Sequence, residues 1–352
     1  MSRNLSSVVV RLMVLAFVTA VVVAARTGRP GNREGFRGTS STGLVPLCQM
    51  GEDQTYKGQD GGLYGEGQND PPPAQAAAAR RELSRIQPLD AQGMPSPEGK
   101  IVLMSIGMSN TRMEFAAFKD LAQTDPNKSA KVVVVNAAIG GMDVVAWAQS
   151  RATQWGTAWE GAERRLKEAN VTPKQVQAIW LKQAKIGPAG SGEFPAHARE
   201  LAVGMLKILH IAKERYPNLR IAYLSSRIYA GHATIGLNPE PYAYESAFSV
   251  RWLIQEQIRG DGELNYNPAK GAAKCPLLLW GPYLWADGIT PRKSDGLTWE
   301  REDLAADGTH PSQKRGVTKV AKMLLKFFQT DPFARTWYLS PDALKRISHP
   351  TG

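Results

Sequence analysis

The sequence predicts a three-layer α/β/α domain on a doubly wound, parallel, five-stranded sheet, and three observations carry that prediction. From residue 100 to about residue 330, short apolar runs alternate with longer stretches of helical periodicity. Five of the runs are separated by helical stretches, and a connection through a helix makes the neighbouring strands parallel. The run Val132–Val135 is continuously β-branched instead of alternating, as in a strand covered on both faces. With 352 residues, 43% hydrophobic and 21% charged, the chain has apolar material for one large domain or two small ones.

The N-terminus sets the compartment. Arg3 and Arg11 precede a charge-free run from Leu12 to Ala25 that closes on Val23-Ala24-Ala25, the pattern of a cleavable secretory signal; extended back to Val8, the same run reads as a marginal N-terminal anchor. Residues 1–25 are therefore a signal peptide or an anchor, and the protein is expected to be secreted or periplasmic, or tethered by this segment. Loss of the two arginines lowers the net charge from +11 to +9. The remaining basic residues are dispersed and no nucleic-acid motif accompanies them, so the excess reads as a solvated surface and no nucleic-acid partner is expected.

Residues 26–47 have the Gly, Ser, Pro and Arg content of a flexible linker. Residues 48–99 form an extension: a glycine-rich loop in which Tyr56 and Tyr64 point to an ordered path across the domain, then a helix over 74–86 and a connector. The acids of that loop miss the spacing of an EF-hand, so calcium is not expected. Cys48 and Cys275 fit no zinc pattern; in an exported protein they form one bridge or remain two buried thiols.

Within the domain at 100–330, strands are expected over 101–106, 131–137, 176–181, 220–225 and 276–280. Helices are expected over 112–123, once or twice within 143–169, and over 196–215, 244–259 and 311–328, leaving 331–352 as a tail. The first run stops at Gly107 and hands over to Ser109 at a helix start, where backbone N–H groups are free; alone, that serine reads as a helix cap. Leu201, Met205, Leu206, Ile208, Leu209 and Ile211 form a core-packing stripe that includes His210, and Pro217 closes the helix. His197 and His349 are weak candidates for chemistry, and His232 follows the fourth strand without a partner nearby in sequence. His310 differs. In Asp307-Gly-Thr-His310 the acid can accept the Nδ1 proton and leave Nε2 for a hydroxyl, and Pro311 pins the loop to the following helix. In a parallel sheet the loops after the first and last strands lie on one edge, so Ser109 can be that hydroxyl.

These residues resemble the SGNH (GDSL-like) hydrolase superfamily, esterases and acetylesterases on a flavodoxin-like α/β/α fold, over about residues 100–330. Gly107-Met108-Ser109 matches the Gly-Asp-Ser block with methionine for the acid, Asn136–Gly141 matches the glycine block after the second strand, and Asp307-x-x-His310 matches fully. The Gly-x-Asn-Asp block is replaced by Trp180-Leu-Lys-Gln-Ala-Lys185, in which Gln183 can supply the amide donor and Lys182 a charge. The resemblance implies Ser109, Asp307 and His310 as catalytic residues. It implies an oxyanion hole from Ser109, Gly140 and Gly141, in which Gln183 can stand for the family's asparagine; Asn110, Lys182 and Trp285, beside these blocks and in the aromatic loop, are the expected substrate-binding residues. The nucleophile elbow of α/β-hydrolases fits less well, because Thr111 stands where its second glycine belongs and the acid and histidine share one loop. The expected function is an exported esterase that needs no metal or organic cofactor. Acetylated carbohydrate is the first substrate expected, because the aromatic loop Trp280–Trp285 can stack on sugar faces, although the same residues can equally be packing. The competing expectation is a non-catalytic carbohydrate-binding or envelope-associated protein on the same fold, favoured if neither Gln183 nor Lys182 points at Ser109.

Overall fold

The computed structural model describes residues 38–154 and 156–348. The signal or anchor segment, the start of the expected linker and His349 lie outside the described residues. The strands are β1 (Ile101–Gly107), β2 (Val132–Asn136), β3 (Val176–Lys182), β4 (Ile221–Ser225) and β5 (Leu277–Trp280). They form one sheet in the order β2-β1-β3-β4-β5, each pair parallel. This is the expected doubly wound, flavodoxin-like arrangement, with strand order turning outward from β1 on both sides. β1 and β3 lie inside the sheet and are buried along their whole length, which is why they are apolar apart from Ser105 in β1 and Gln177 and Lys182 in β3.

Helix α1 (Pro73–Leu83) precedes the sheet. The crossovers are α2 (Ser109–Thr124), α3 (Val144–Ala148) with α4 (Ala158–Glu168), α5 (Ala196–Arg215) and α6 (Tyr242–Arg259), followed by α7 (Gly316–Thr330). One layer pairs α2 with α7; the other packs α5 against α6 and α3. The stretch 143–169 divides because Thr157 caps α4 reciprocally with Glu160, giving the second helix its own start. α7 begins at Gly316, five residues later than expected. Pro311 instead bridges Leu304, and Ser312 donates its N–H to the Asp303 carbonyl, so a turn separates the histidine loop from the helix.

The flanks are tied to the domain at both ends, and of the two cysteine alternatives the structure has the free thiols. Residues 38–47 are hydrogen-bonded to the domain: the Asp287 carboxylate accepts from the Thr42 N–H (2.6 Å), the Gly43 N–H (2.9 Å) and the hydroxyls of Ser41 and Thr42. Tyr229 adds a hydrogen bond to the Thr39 carbonyl. The segment has little to bury on its own, and a buried acid of the domain supplies its order. The C-terminal stretch is a pair of helices, α8 (Arg335–Tyr338) and α9 (Pro341–Ser348), with Trp337 and Tyr338 buried against Phe328. Finally, Cys48 and Cys275 are both free thiols. Cys275 precedes β5, whereas Cys48 neighbours Tyr283 and Arg292 beyond its far end. A four-residue strand spans about 13 Å, too far for a disulfide. The glycine-rich loop is ordered as expected, Tyr56 donating to Glu245 at 2.6 Å and stacking on Phe248. Among the described residues no helix is long and apolar enough to cross a membrane.

Candidate active site

Gly107 ends β1 where a side chain has no room: a Cβ there would stand 2.3 Å from the Lys182 carbonyl and 2.4 Å from the Thr111 hydroxyl. Glycine lets the chain turn tightly from sheet to helix. Thr111 then donates to the Lys182 carbonyl at 2.8 Å, fixing the first turn of α2 on the end of β3. Met108, not Ser109, is the N-cap of α2, and it makes no side-chain cap. The Ser109 hydroxyl does not cap its helix. It lies 2.7 Å from Nε2 of His310.

The other side of that imidazole is equally defined, Nδ1 standing 2.6 Å from Oδ2 of Asp307. Oδ1 of the same carboxylate accepts the backbone N–H groups of Thr309 (3.1 Å) and His310 (3.0 Å), folding the loop around its own acid. Partial burial pushes the Asp307 carboxyl upward, but the His310 ring and these backbone donors outweigh it and hold the group well below the usual carboxylate range. The structure thus brings Ser109, His310 and Asp307 into one hydrogen-bonded line.

Around the serine, the helix start leaves its N–H without an intrahelical acceptor. A Cβ on Gly140 would stand 3.9 Å from Cβ of Ser109, so the loop after β2 passes directly beside Ser109. Gly141 follows with φ +78, a conformation that glycine adopts without strain. Gln183 is 1% exposed just past β3, and neither atom of its amide has a hydrogen-bond partner. A buried amide left unpaired is costly unless something else comes to it.

The three residues expected to bind substrate do other work. Lys182 is fully buried and ion-paired with the equally buried Glu114 of α2. Burial lowers the Lys182 ammonium and raises the Glu114 carboxyl, and each partner opposes the other's shift. Asn110 is 1% exposed and donates to the Thr309 carbonyl at 3.1 Å. Trp285 is fully buried against Tyr244 and donates to Glu240 at 2.8 Å. Each follows an apolar or helical context inward, where polar atoms must find protein partners.

Other residues around the site escaped the sequence reading. Arg227, buried after β4, donates to the Thr309 carbonyl and hydroxyl, both at 3.0 Å, and joins Asn110 in holding the loop between Asp307 and His310. Glu114 had a visible signal, an acid on the buried stripe Thr111, Phe115, Phe118 and Ala122. Of the remaining histidines, His197 is held by Glu245, His210 by the Glu263 carbonyl, and the His232 carbonyl packs where a Gly308 side chain would lie.

No family model matches the chain, and no curated protein is similar to it. Among solved structures, it is similar to a gut microbial diltiazem-metabolizing enzyme at 14% identity and TM-score 0.31, over 67% of this chain and 48% of that one. It is also similar to an extracellular lipase of Streptomyces rimosus at 10% identity and TM-score 0.28, over 63% of this chain and 98% of the lipase. The chain thus spans about half the length of the first, and likeness this remote assigns neither family nor activity.

Proposed function

We propose that this chain is a serine ester hydrolase of the SGNH-like kind, with Ser109 as nucleophile, His310 as general base and then general acid, and Asp307 orienting the imidazole. One observation carries the reading: Ser109 leaves its helix uncapped and directs its hydroxyl to a histidine whose far nitrogen is held by a carboxylate. A serine hydroxyl is a weak nucleophile on its own, and a base at hydrogen-bond distance, held in one tautomer by an acid, is what activates it.

In the proposed reaction His310 Nε2 takes the Ser109 proton as Oγ attacks the ester carbonyl, and the imidazolium returns that proton to the departing alcohol. Water, deprotonated by the same nitrogen, then attacks the acyl carbonyl; the bond from Oγ to the acyl carbon breaks, the imidazolium returns the proton to Oγ, and the carboxylic acid leaves. The oxyanion is assigned to the N–H groups of Ser109 and of Gly140 and Gly141, with the amide of Gln183. That amide's buried, unpaired state supports the assignment, since it retains its hydrogen-bonding capacity for a developing charge. Lys182 is excluded from this role by its pairing with Glu114.

The carbohydrate reading loses its support, because Trp285 is buried and offers no face to a sugar. Export through residues 1–25 is proposed on the sequence pattern alone. Turnover of 4-nitrophenyl acetate by the purified chain, beside Ser109→Ala and His310→Ala, tests the mechanism. Each variant is expected to lose about 10⁴-fold or more. Activity surviving both substitutions refutes it.

A further inference from the structure

Beside the nucleophile runs a cavity of about 400 Å³, walled by α2, the end of β2 and α4, with Arg112, Ala116, Lys119, Asn136, Ala138 and Arg165 among its lining residues. Ser109, Arg112, Ala116 and Lys119 recur at helical spacing on one face of α2, so the groove, whose lining begins at Arg112, follows the face that Ser109 heads. Arg112 stands at its head. Its Nε lies 3.7 Å from the point where a Gly140 Cβ would be, and Cβ of Ser109 lies 3.9 Å from that same point.

The charges of the groove do not cancel evenly. Arg165 is paired with Glu168 at 2.8 Å, while Lys119, two turns beyond Arg112 along α2, has no ion pair among the described residues. Arg112 is exposed, and its guanidinium has no ion pair or side-chain hydrogen bond among the described residues. Of these two unpaired cations Arg112 is the one near Ser109: it follows by one helical turn along α2, and its Nε and the Ser109 Cβ both approach the same point at Gly140. A planar guanidinium with free donors binds carboxylate and other oxyanions in two-point fashion.

Resting on the ester-hydrolase reading, we propose that Arg112 is a specificity-determining residue for esters that also carry an anionic group close to the scissile bond, the rest of the substrate lying in the groove along α2. The chemistry of attack is unchanged; the arginine binds the fixed charge and so positions the carbonyl over Ser109.

The test uses the full chain and two pairs of esters. 4-Nitrophenyl hydrogen succinate against 4-nitrophenyl methyl succinate places the charge on the acyl side, and 4-acetoxybenzoate against its methyl ester places it on the leaving-group side. The readout is the change in each anionic-to-neutral ratio of kcat/KM on Arg112→Gln, which cancels the intrinsic difference between the esters. In at least one pair the ratio is expected to fall about tenfold to a hundredfold, with partial recovery in Arg112→Lys and a smaller effect as salt is raised. Ester hydrolysis with both ratios unchanged overturns the role of Arg112 and leaves the esterase standing. A folded chain that hydrolyses none of the four esters overturns the parent reading and this one with it.

Discussion

Asp307→Asn separates orientation of the imidazole from folding of its loop, because the two carboxylate oxygens have different duties. Oδ1 receives the N–H groups of Thr309 and His310, and Oδ2 faces Nδ1 of the ring at 2.6 Å. Asparagine has one oxygen to offer. If it serves the two backbone donors, the loop is preserved and the NH₂ group faces Nδ1. The ring proton must then sit on Nε2, which becomes a donor toward Ser109 and can no longer take its proton. The opposite flip keeps the tautomer but sets an NH₂ against two backbone N–H groups, forfeiting two hydrogen bonds at about 1–3 kcal/mol each. The first arrangement wins, so the variant should fold and fail. The expected loss in kcat is about 10⁴-fold, or about 5.5 kcal/mol of transition-state stabilisation, in a variant that still melts cooperatively, at a temperature lowered only by the lost charge of Asp307. Steady-state hydrolysis of 4-nitrophenyl acetate, run beside circular dichroism melts, measures both. A folded Asp307→Asn protein retaining turnover within about tenfold of the parent would refute the orienting role.

The same carboxylate leaves a mark on acid stability. Its folded value is depressed while the unfolded chain takes up the proton near 3.8, so the unfolded state binds more protons in this window. The Asp307 contribution is complete above that value and is lost as pH falls below it. Urea midpoints of the parent and Asp307→Asn should therefore differ less at about pH 3 than at about pH 6. Glu114→Ala leaves the Lys182 ammonium buried without its counter-charge and should cost about 3–5 kcal/mol in urea unfolding, whereas joint replacement of both by leucine and methionine should recover most of that loss. Asp287→Ala removes the acceptor for Ser41, Thr42 and Gly43; limited proteolysis should then cleave within residues 38–47 while the domain resists, and unchanged protection would show that other contacts hold the strap.

What the sequence made legible was governed by periodicity and by short covalent spacing. The strands appear near their expected positions because buried parallel strands leave apolar runs, and Asp307 with His310 was visible because three residues of loop suffice to bring acid and ring together. The pairing of Ser109 with His310, 201 positions apart, followed only through the topology that places both loops on one sheet edge. Side-chain direction was not legible in the same way. Lys182 and Trp285 sit at functional loop positions by sequence count, yet both point inward. Their direction depends on partners such as Glu114 and Glu240 that approach from distant elements.

Lys182 shows what that inward turn does for the site. The register pairs it with Gly107, so the last residue of β3 lies beside the turn that delivers Ser109, and its ammonium reaches under α2 to Glu114. Arg227 adds a second buried cation from the end of β4 and grips Thr309 from below, while Asn110, the residue after Ser109, takes the same carbonyl. The helix of Ser109 and the loop of His310 are thus tied to each other through Asn110 and Thr309, independently of the bond between Ser109 and His310. If that cross-tie sets the alignment, Asn110→Ala should lower kcat more than it raises KM, because binding of the ester does not use it. An equal loss in Asn110→Ala and in Asn110→Asp would assign the effect to loss of the donor, and full activity in both would place the alignment with Arg227 alone.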